Sequence, residues 1–223
     1  MNKPKLLIFA SGGKEGGGSG FQKLIEASRS GILNAEVVGV VSNHENGGVR
    51  QRADRLGVPF IFFPKPWDAE GYQRIAKQSG ASWFSLSGWL KLVVGLDPAT
   101  TFNSRTVFNI HPGPLPSFGG PGLYGHHVHE AVMAAFRRGE IKYSAVTMHF
   151  VSAEYDRGPI FFKVKVLIKD DDTPEVLAGR VNEFEHIYQS RITSWVVNEF
   201  ISWDGVNPNS LCLPTGYAAE FME

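Results

Sequence analysis

Two hydrophobic periods alternate along the first half of the chain. Leu6-Leu7-Ile8-Phe9-Ala10 is short, continuous and apolar, the pattern of a strand buried on both faces. Phe21, Leu24, Ile25 and Ser28 then recur at helical spacing. The alternation repeats: Val37-Val38-Gly39-Val40-Val41 as strand, Gly48–Leu56 as helix, Val58-Pro59-Phe60-Ile61-Phe62-Phe63 as strand, and a helix from Asp68 to Gln78. Trp83-Phe84-Ser85-Leu86-Ser87 and Thr106-Val107-Phe108 open two more strands. Strands separated by helices predict an α/β fold: a Rossmann-like, doubly wound, mostly parallel sheet with helices on both faces.

The second half departs from this rhythm. A helix is expected over His126–Arg138, then strands over Tyr143–Val151 and Ile160–Ile168. Their short connection, Asp156-Arg157-Gly158-Pro159, cannot hold a crossover helix, so a later antiparallel strand is expected. Thr173-Pro174-Glu175 reads as N-cap and first turn of a long helix, with a core stripe of Leu177, Val181, Phe184, Tyr188, Ile192 and Trp195. Residues 201–223, with Pro208, Pro214 and Gly216, read as a tail or hairpin lying on the rest. With no repeat, low-complexity block or linker, residues 1–223 are expected to form one domain.

Two stretches offer chemistry. After the first strand comes Ser11-Gly12-Gly13-Lys14-Glu15-Gly16-Gly17-Gly18-Ser19-Gly20, and then a helix. Glycines let backbone approach a ligand, and the helix start offers N–H groups and a positive dipole end, so an anion site is expected there. Ser19 is the expected N-cap. No Gly-Lys-Ser/Thr follows, which excludes a Walker loop, and the dinucleotide fingerprint fits poorly. A flexible linker is the competing reading. The second stretch is Phe108-Asn109-Ile110-His111-Pro112-Gly113-Pro114-Leu115-Pro116. Asn109 and His111, two apart on a strand, share a face, and prolines stop the strand just beyond them. Strand carboxyl ends are where ligands bind in open α/β sheets. Asn109 can donate to an oxyanion, His111 titrates near neutrality, and Asp156 can orient the imidazole or hold a water.

Composition narrows the classes. Lys+Arg and Asp+Glu are both 22 in 223 residues, so the formal charge is zero and no basic surplus exists for nucleic acid. No apolar run approaches the roughly 20 residues of a membrane span. The one cysteine, Cys212, rules out an internal disulfide framework and fits a reducing, cytoplasmic compartment. No serine or cysteine nucleophile is suitably placed, so direct transfer without a covalent enzyme intermediate is expected. His126-His127-Val128-His129 lacks the partners of a zinc site, and no metal is expected; His126 and His129 share a helical face suited to capping or packing.

Asn109-Ile110-His111-Pro112 with Leu115-Pro116, followed by His149-Phe150-Val151 and Glu154-Tyr155-Asp156-Arg157-Gly158-Pro159-Ile160, resembles the folate-dependent formyltransferases. The similarity runs from Leu6 to about Phe200 and is strongest toward the branch acting on glycinamide ribonucleotide in purine biosynthesis. It implies the formyltransferase fold and direct attack of an amine on the formyl group of 10-formyltetrahydrofolate, through a tetrahedral intermediate. By the same resemblance Asn109 stabilises the oxyanion, His111 assists as acid and positioning group, and Asp156 organises a water for proton transfer. Gly18, Ser19 and Gly20 align with the substrate-phosphate loop; Asn182 and Glu185 with substrate contacts; Leu90, Lys91, Leu92, Val93 and Asn109 with the folate pocket. Residues 1–105 then form a phosphate-binding half, 106–200 a catalytic and folate-binding half, and 201–223 the tail. Small-molecule substrates and a monomer or homodimer are implied. An amino sugar nucleotide acceptor, formyltetrahydrofolate hydrolysis and a non-catalytic folate- or nucleotide-binding module are the alternatives. The sequence departs from the family at Lys14-Glu15 and the added glycines, at Gly20 where asparagine is usual, at Lys91 where arginine is common, and in a longer Ser117–His129.

Overall fold

The computed structural model describes residues 2–222. The first and last residues of the expected 1–223 unit lie outside that range.

Five strands of the first half stand side by side in parallel: β1 (Lys5–Phe9), β2 (Glu36–Ser42), β3 (Phe60–Phe62), β4 (Trp83–Ser87) and β5 (Val107–His111). Their connections are α1 (Ser19–Ser30), α2 (Gly48–Leu56) and α3 (Ala69–Ser79), with a non-helical segment between β4 and β5. After β5 come α4 (His126–Arg137), β6 (Tyr143–Phe150), β7 (Ile160–Leu167), α5 (Pro174–Val197) and β8 (Glu220–Met222). The sheet order is β3-β2-β1-β4-β5-β6-β7-β8. Among the described strands β6 alone runs antiparallel to both its neighbours, the expected departure from alternation. The third strand covers Phe60–Phe62 rather than Val58–Phe63; Pro59 has no N–H to give a ladder, although its carbonyl accepts from Val40.

Alternate residues of each strand feed two cores. Leu6 and Ile8 of β1 join Phe21, Leu24 and Ile25 of α1 and the apolar faces of α4 and α5. Leu7 and Phe9 face the other way, into an aromatic cluster with Phe63, Tyr72, Phe84, Trp89 and Phe102 beneath α3. There the Tyr72 hydroxyl accepts from Trp89 Nε1 at 2.8 Å and donates to the Leu92 carbonyl at 3.0 Å. The second core therefore anchors the 89–92 segment.

Three expectations are corrected. Ser19 is the first helical residue, not the N-cap; Gly18 holds that place at φ 79°, a left-handed backbone that glycine adopts without strain. The α5 stripe is broader than expected. Leu177, Val181 and Ile192 are buried, whereas Phe184, Tyr188 and Trp195 are half-buried against the core. Gln189, Ser190, Thr193, Val196 and Val197 are buried as well, since α5 packs against both α1 and α4. The tail does more than lie on the surface. Ser202 and Cys212 form an antiparallel bridge, and β8 adds an edge strand parallel to β7. Among the described residues no helix is long and apolar enough to cross a membrane.

Candidate active site

The end of β5 presents Asn109 and His111 on one side, as their spacing requires. The antiparallel register with β6 sets His149 directly opposite Asn109 and Thr147 opposite His111. Asp156 enters from the turn after β6. It sits at φ 52°, a left-handed conformation that aspartate tolerates better than most residues. Gly158 explains why the turn comes so close: a Cβ there would stand 1.7 Å from the Phe150 carbonyl oxygen, so only glycine fits. Pro159 then leads into β7.

These elements converge on the Asp156 carboxylate. His111 Nδ1 is 3.8 Å from Oδ2 and His149 Nε2 is 3.4 Å from Oδ1. The Asn109 amide lies between them, its Nδ2 3.2 Å from His149 Nε2 and 3.5 Å from Asp156 Oδ1. The backbone N–H of Gly120 donates to Oδ2 at 3.0 Å. Ring protonation follows from the carbonyls nearby. Phe118 O lies 2.7 Å from His111 Nε2, and Phe150 O lies 2.8 Å from His149 Nδ1. A carbonyl only accepts, so those two nitrogens carry protons. His111 Nδ1 and His149 Nε2 therefore turn toward Asp156.

Burial pushes the His111 imidazole below its ordinary range, against the opposing pull of the Asp156 charge and the Phe118 carbonyl. His111 is thus neutral at rest. Burial would raise the Asp156 carboxyl, but His149, the His111 ring and the Gly120 N–H together outweigh it and hold it below the usual carboxylate range. The cluster is an ionised carboxylate flanked by two imidazoles and an amide.

The site opens into a cleft of about 400 Å³ between β4, β5, α4 and α5. Gly18, Ser19 and Gly20 line it, as do Asn109, His111 and Asp156, and Asn182 and Glu185 contribute the α5 wall. The glycine loop is folded on itself and tied down. Gly13 N donates to Gly16 O at 2.8 Å, Gly48 N to Gly13 O at 3.0 Å, and Arg52 Nε to Gly17 O at 3.2 Å. At Gly17, φ is +95° and a Cβ would stand 2.4 Å from Gly12 Cα. This is a compact loop rather than slack. Asn182 Nδ2 donates to Glu185 Oε2 at 2.9 Å, and burial raises the Glu185 carboxyl to about 7.

Leu90 lines the same cleft, while Lys91, Leu92 and Val93 line an adjoining cavity of about 50 Å³ that shares Asn109, Tyr155 and Asp156. The Lys91 ammonium lies over the Trp67 ring at 4.4 Å. The glycine-rich part of Ser117–His129 covers Asp156 and lines the cleft through Gly120, Leu123 and Tyr124. His126 is 3.3 Å from Glu175 at the start of α5, and His129 is buried with Nδ1 unpartnered among the described residues. Among those residues no group of three or more His, Cys, Asp or Glu is placed to hold a metal.

The roles of His149 and Gly120 at Asp156 were missed by sequence reasoning. His149 stood in the motif quoted above, but only the direction and register of β6 put it against Asn109. No sequence signal marks Gly120 as a donor.

The family model described as formyl transferase matches residues 5–193. Phosphoribosylglycinamide formyltransferase, chloroplastic, of Arabidopsis thaliana is 38% identical over 213 residues, covering 92% of this chain and 70% of that protein. Phosphoribosylglycinamide formyltransferase of Bacillus subtilis (strain 168) is 30% identical over 82% of this chain and 89% of its own length. In fold, the chain is similar to the crystal structure of phosphoribosylglycinamide formyltransferase from Anaplasma phagocytophilum, with a TM-score of 0.79, 24% identity and 100% of both chains covered.

Proposed function

The chain belongs to the formyl transferase family, and on that premise we propose that it formylates the amine of glycinamide ribonucleotide from 10-formyltetrahydrofolate. The observation that carries the reading is one cleft lined by a glycine-rich helix start, a carboxylate–imidazole–amide cluster and a carboxylate of α5. We treat residues 1–223 as one domain, because a single sheet draws strands from both halves and from the tail.

The reaction moves one formyl group and one proton. The neutral acceptor amine attacks the formyl carbon, a new C–N bond forms, and the carbonyl oxygen becomes an oxyanion. The bond to N10 then breaks, and a proton lost by the acceptor nitrogen is delivered to N10. Asn109 Nδ2 is the donor placed for the oxyanion, a contribution of about 3–4 kcal/mol for such groups. Asp156 is ionised and takes or relays the proton through water. His111 offers Nδ1 as the adjoining proton acceptor, returning the proton as the leaving nitrogen departs. Leu90, Leu92 and Val93 offer the apolar wall a planar donor needs, and Trp89 is held in place by Tyr72. No metal enters this chemistry. The acceptor's phosphate sits at the N-terminus of α1, on Gly18, Ser19 and Gly20, and its amine lies toward Asn182 and Glu185. The substrates are small molecules, the enzyme acts as a monomer or homodimer, and the lone exposed Cys212 fits a cytoplasmic setting.

Spectrophotometric release of tetrahydrofolate, measured with glycinamide ribonucleotide, with an amino sugar nucleotide and with no amine, tests this proposal. Release that depends on glycinamide ribonucleotide is expected; release without amine, or only with the sugar nucleotide, overturns it.

Two predictions accompany it. Ser19→Asp places an acid in the first turn of α1, which the helix dipole favours, so the fold keeps its melting temperature. The same charge repels a phosphate, and the KM for the phosphorylated acceptor rises about tenfold or more; an unchanged KM removes the phosphate from this helix start. For Glu185, raised to about 7, the charged form predominates only above that pH. The acceptor's KM therefore falls as pH rises through about 7, and Glu185→Gln loses this dependence. Because burial disfavours the carboxylate, Glu185 costs the fold stability as pH rises toward 7, so a melting scan finds Glu185→Gln the more stable at alkaline pH.

A further inference from the structure

Two polar side chains from distant parts of the chain meet under the first turn of α1. Gln189 of α5 is 1% exposed, and its Nε2 lies 2.9 Å from Oγ of Ser87, the last residue of β4. Both line the cleft, yet Gln189 Oε1 has no hydrogen-bond partner among the described residues. Gly20 is the second helical residue of α1; a Cβ there would stand 2.4 Å from Ser87 Oγ and 3.0 Å from Gln189 Oε1. The missing side chain at position 20 is what lets the pair approach the helix start.

A buried amide oxygen without a partner is costly, and a primary amide has a second orientation of nearly the same shape. In that orientation the Ser87 hydroxyl donates to Oε1, and the Gln189 NH2 faces the cleft beside Gly20 with its N–H groups available. The same spot holds the first N–H groups of α1, with no side-chain cap and no acidic residue in the first turn. Donors from backbone and side chain then converge at a helix start whose own first turn carries no acidic residue, an arrangement that suits an anion with several acceptor oxygens; Glu185, one turn before Gln189 on α5, lines the same cleft.

We propose that Gln189, oriented by Ser87 and brought to the helix start because position 20 is glycine, donates its side-chain amide to the phosphate monoester of the acceptor at the N-terminus of α1. This rests on the reading above that the acceptor's phosphate occupies that helix end. Gln189 is then a specificity residue for the phosphorylated acceptor, remote from the reacting carbon.

The test uses the full chain with Gln189→Met, which keeps length and loses both donors, and with Ser87→Ala, which frees the amide from its guide. Steady-state kinetics with glycinamide ribonucleotide, competitive inhibition by inorganic phosphate, and calorimetric titration of inorganic phosphate are the readouts. For Gln189→Met, KM and the inhibition constant for phosphate both rise about tenfold or more, kcat stays within about twofold, and the melting temperature holds. Ser87→Ala moves the same constants in the same direction by a few-fold, and it carries the test if Gln189→Met does not fold. Unchanged phosphate affinity in a folded Gln189→Met, or a loss confined to kcat, overturns the proposal. Wild-type protein that binds phosphate through Gln189 but does not formylate glycinamide ribonucleotide supports the proposal and counts only against the choice of acceptor.

Discussion

Asp156→Asn lowers kcat by about a thousandfold or more, with little change in either KM or in the melting temperature. The substitution keeps the size of the side chain, and its amide oxygen still accepts the Gly120 N–H now held at 3.0 Å. What disappears is the ability to take a proton. Among the described residues Asp156 is the one carboxylate paired with both imidazoles, 3.8 Å from His111 and 3.4 Å from His149. It is also held below the usual carboxylate range by its hydrogen bonds to His149 and Gly120. Asparagine offers neither charge nor acceptor for the proton that leaves the attacking amine. A thousandfold loss corresponds to about 4 kcal/mol of transition-state stabilisation, the scale of a missing charge in a partly buried site. Because the loss falls in the chemical step, single-turnover and steady-state rates drop together. Wild-type turnover in a folded Asp156→Asn protein contradicts the role assigned to the carboxylate.

The second large effect is at Asn109. Asn109→Ala removes the amide donor nearest the reacting centre, and kcat falls by about a hundred- to a thousandfold, equivalent to about 3–4 kcal/mol. The acceptor's KM changes little, since phosphate and amine are bound at the other walls of the cleft. A purely structural role gives a different pattern, because the amide also lies 3.2 Å from His149 Nε2. If Asn109 only held His149 in place, His149→Ala and the double variant would match Asn109→Ala in rate. The oxyanion role instead makes the loss at Asn109 the larger one. Kinetics on the three variants separate the two.

The succession of strands and helices in the first half was legible because each element there states its own period. Leu6–Ala10 and Val37–Val41 are too short and too apolar for helices, and the glycine loop fixes where α1 begins. Asn109 and His111 were legible as a pair for the same local reason. What could not be read is what long-range register creates. His149 reaches Asn109 only because β6 runs antiparallel, and Gln189 looks like an ordinary polar residue on a long helix until α5 packs against both α1 and α4. The N-cap of α1 was misplaced by one residue, since a serine after glycines looks like a cap while the left-handed turn at Gly18 already fills that position. The Ser117–His129 stretch read only as an added loop, and its N–H at Gly120 acquires meaning from the Asp156 turn that rises beneath it.

The central claim is that the formyl group passes from donor to a phosphorylated acceptor amine within this one cleft. Following ¹³C-labelled formyl from 10-formyltetrahydrofolate by NMR, in the presence of glycinamide ribonucleotide, tests it most directly. The label is expected in the acceptor's new amide, one equivalent for each tetrahydrofolate released, and Asp156→Asn abolishes both signals together. Label emerging as free formate, or remaining on the donor while acceptor is bound, contradicts it.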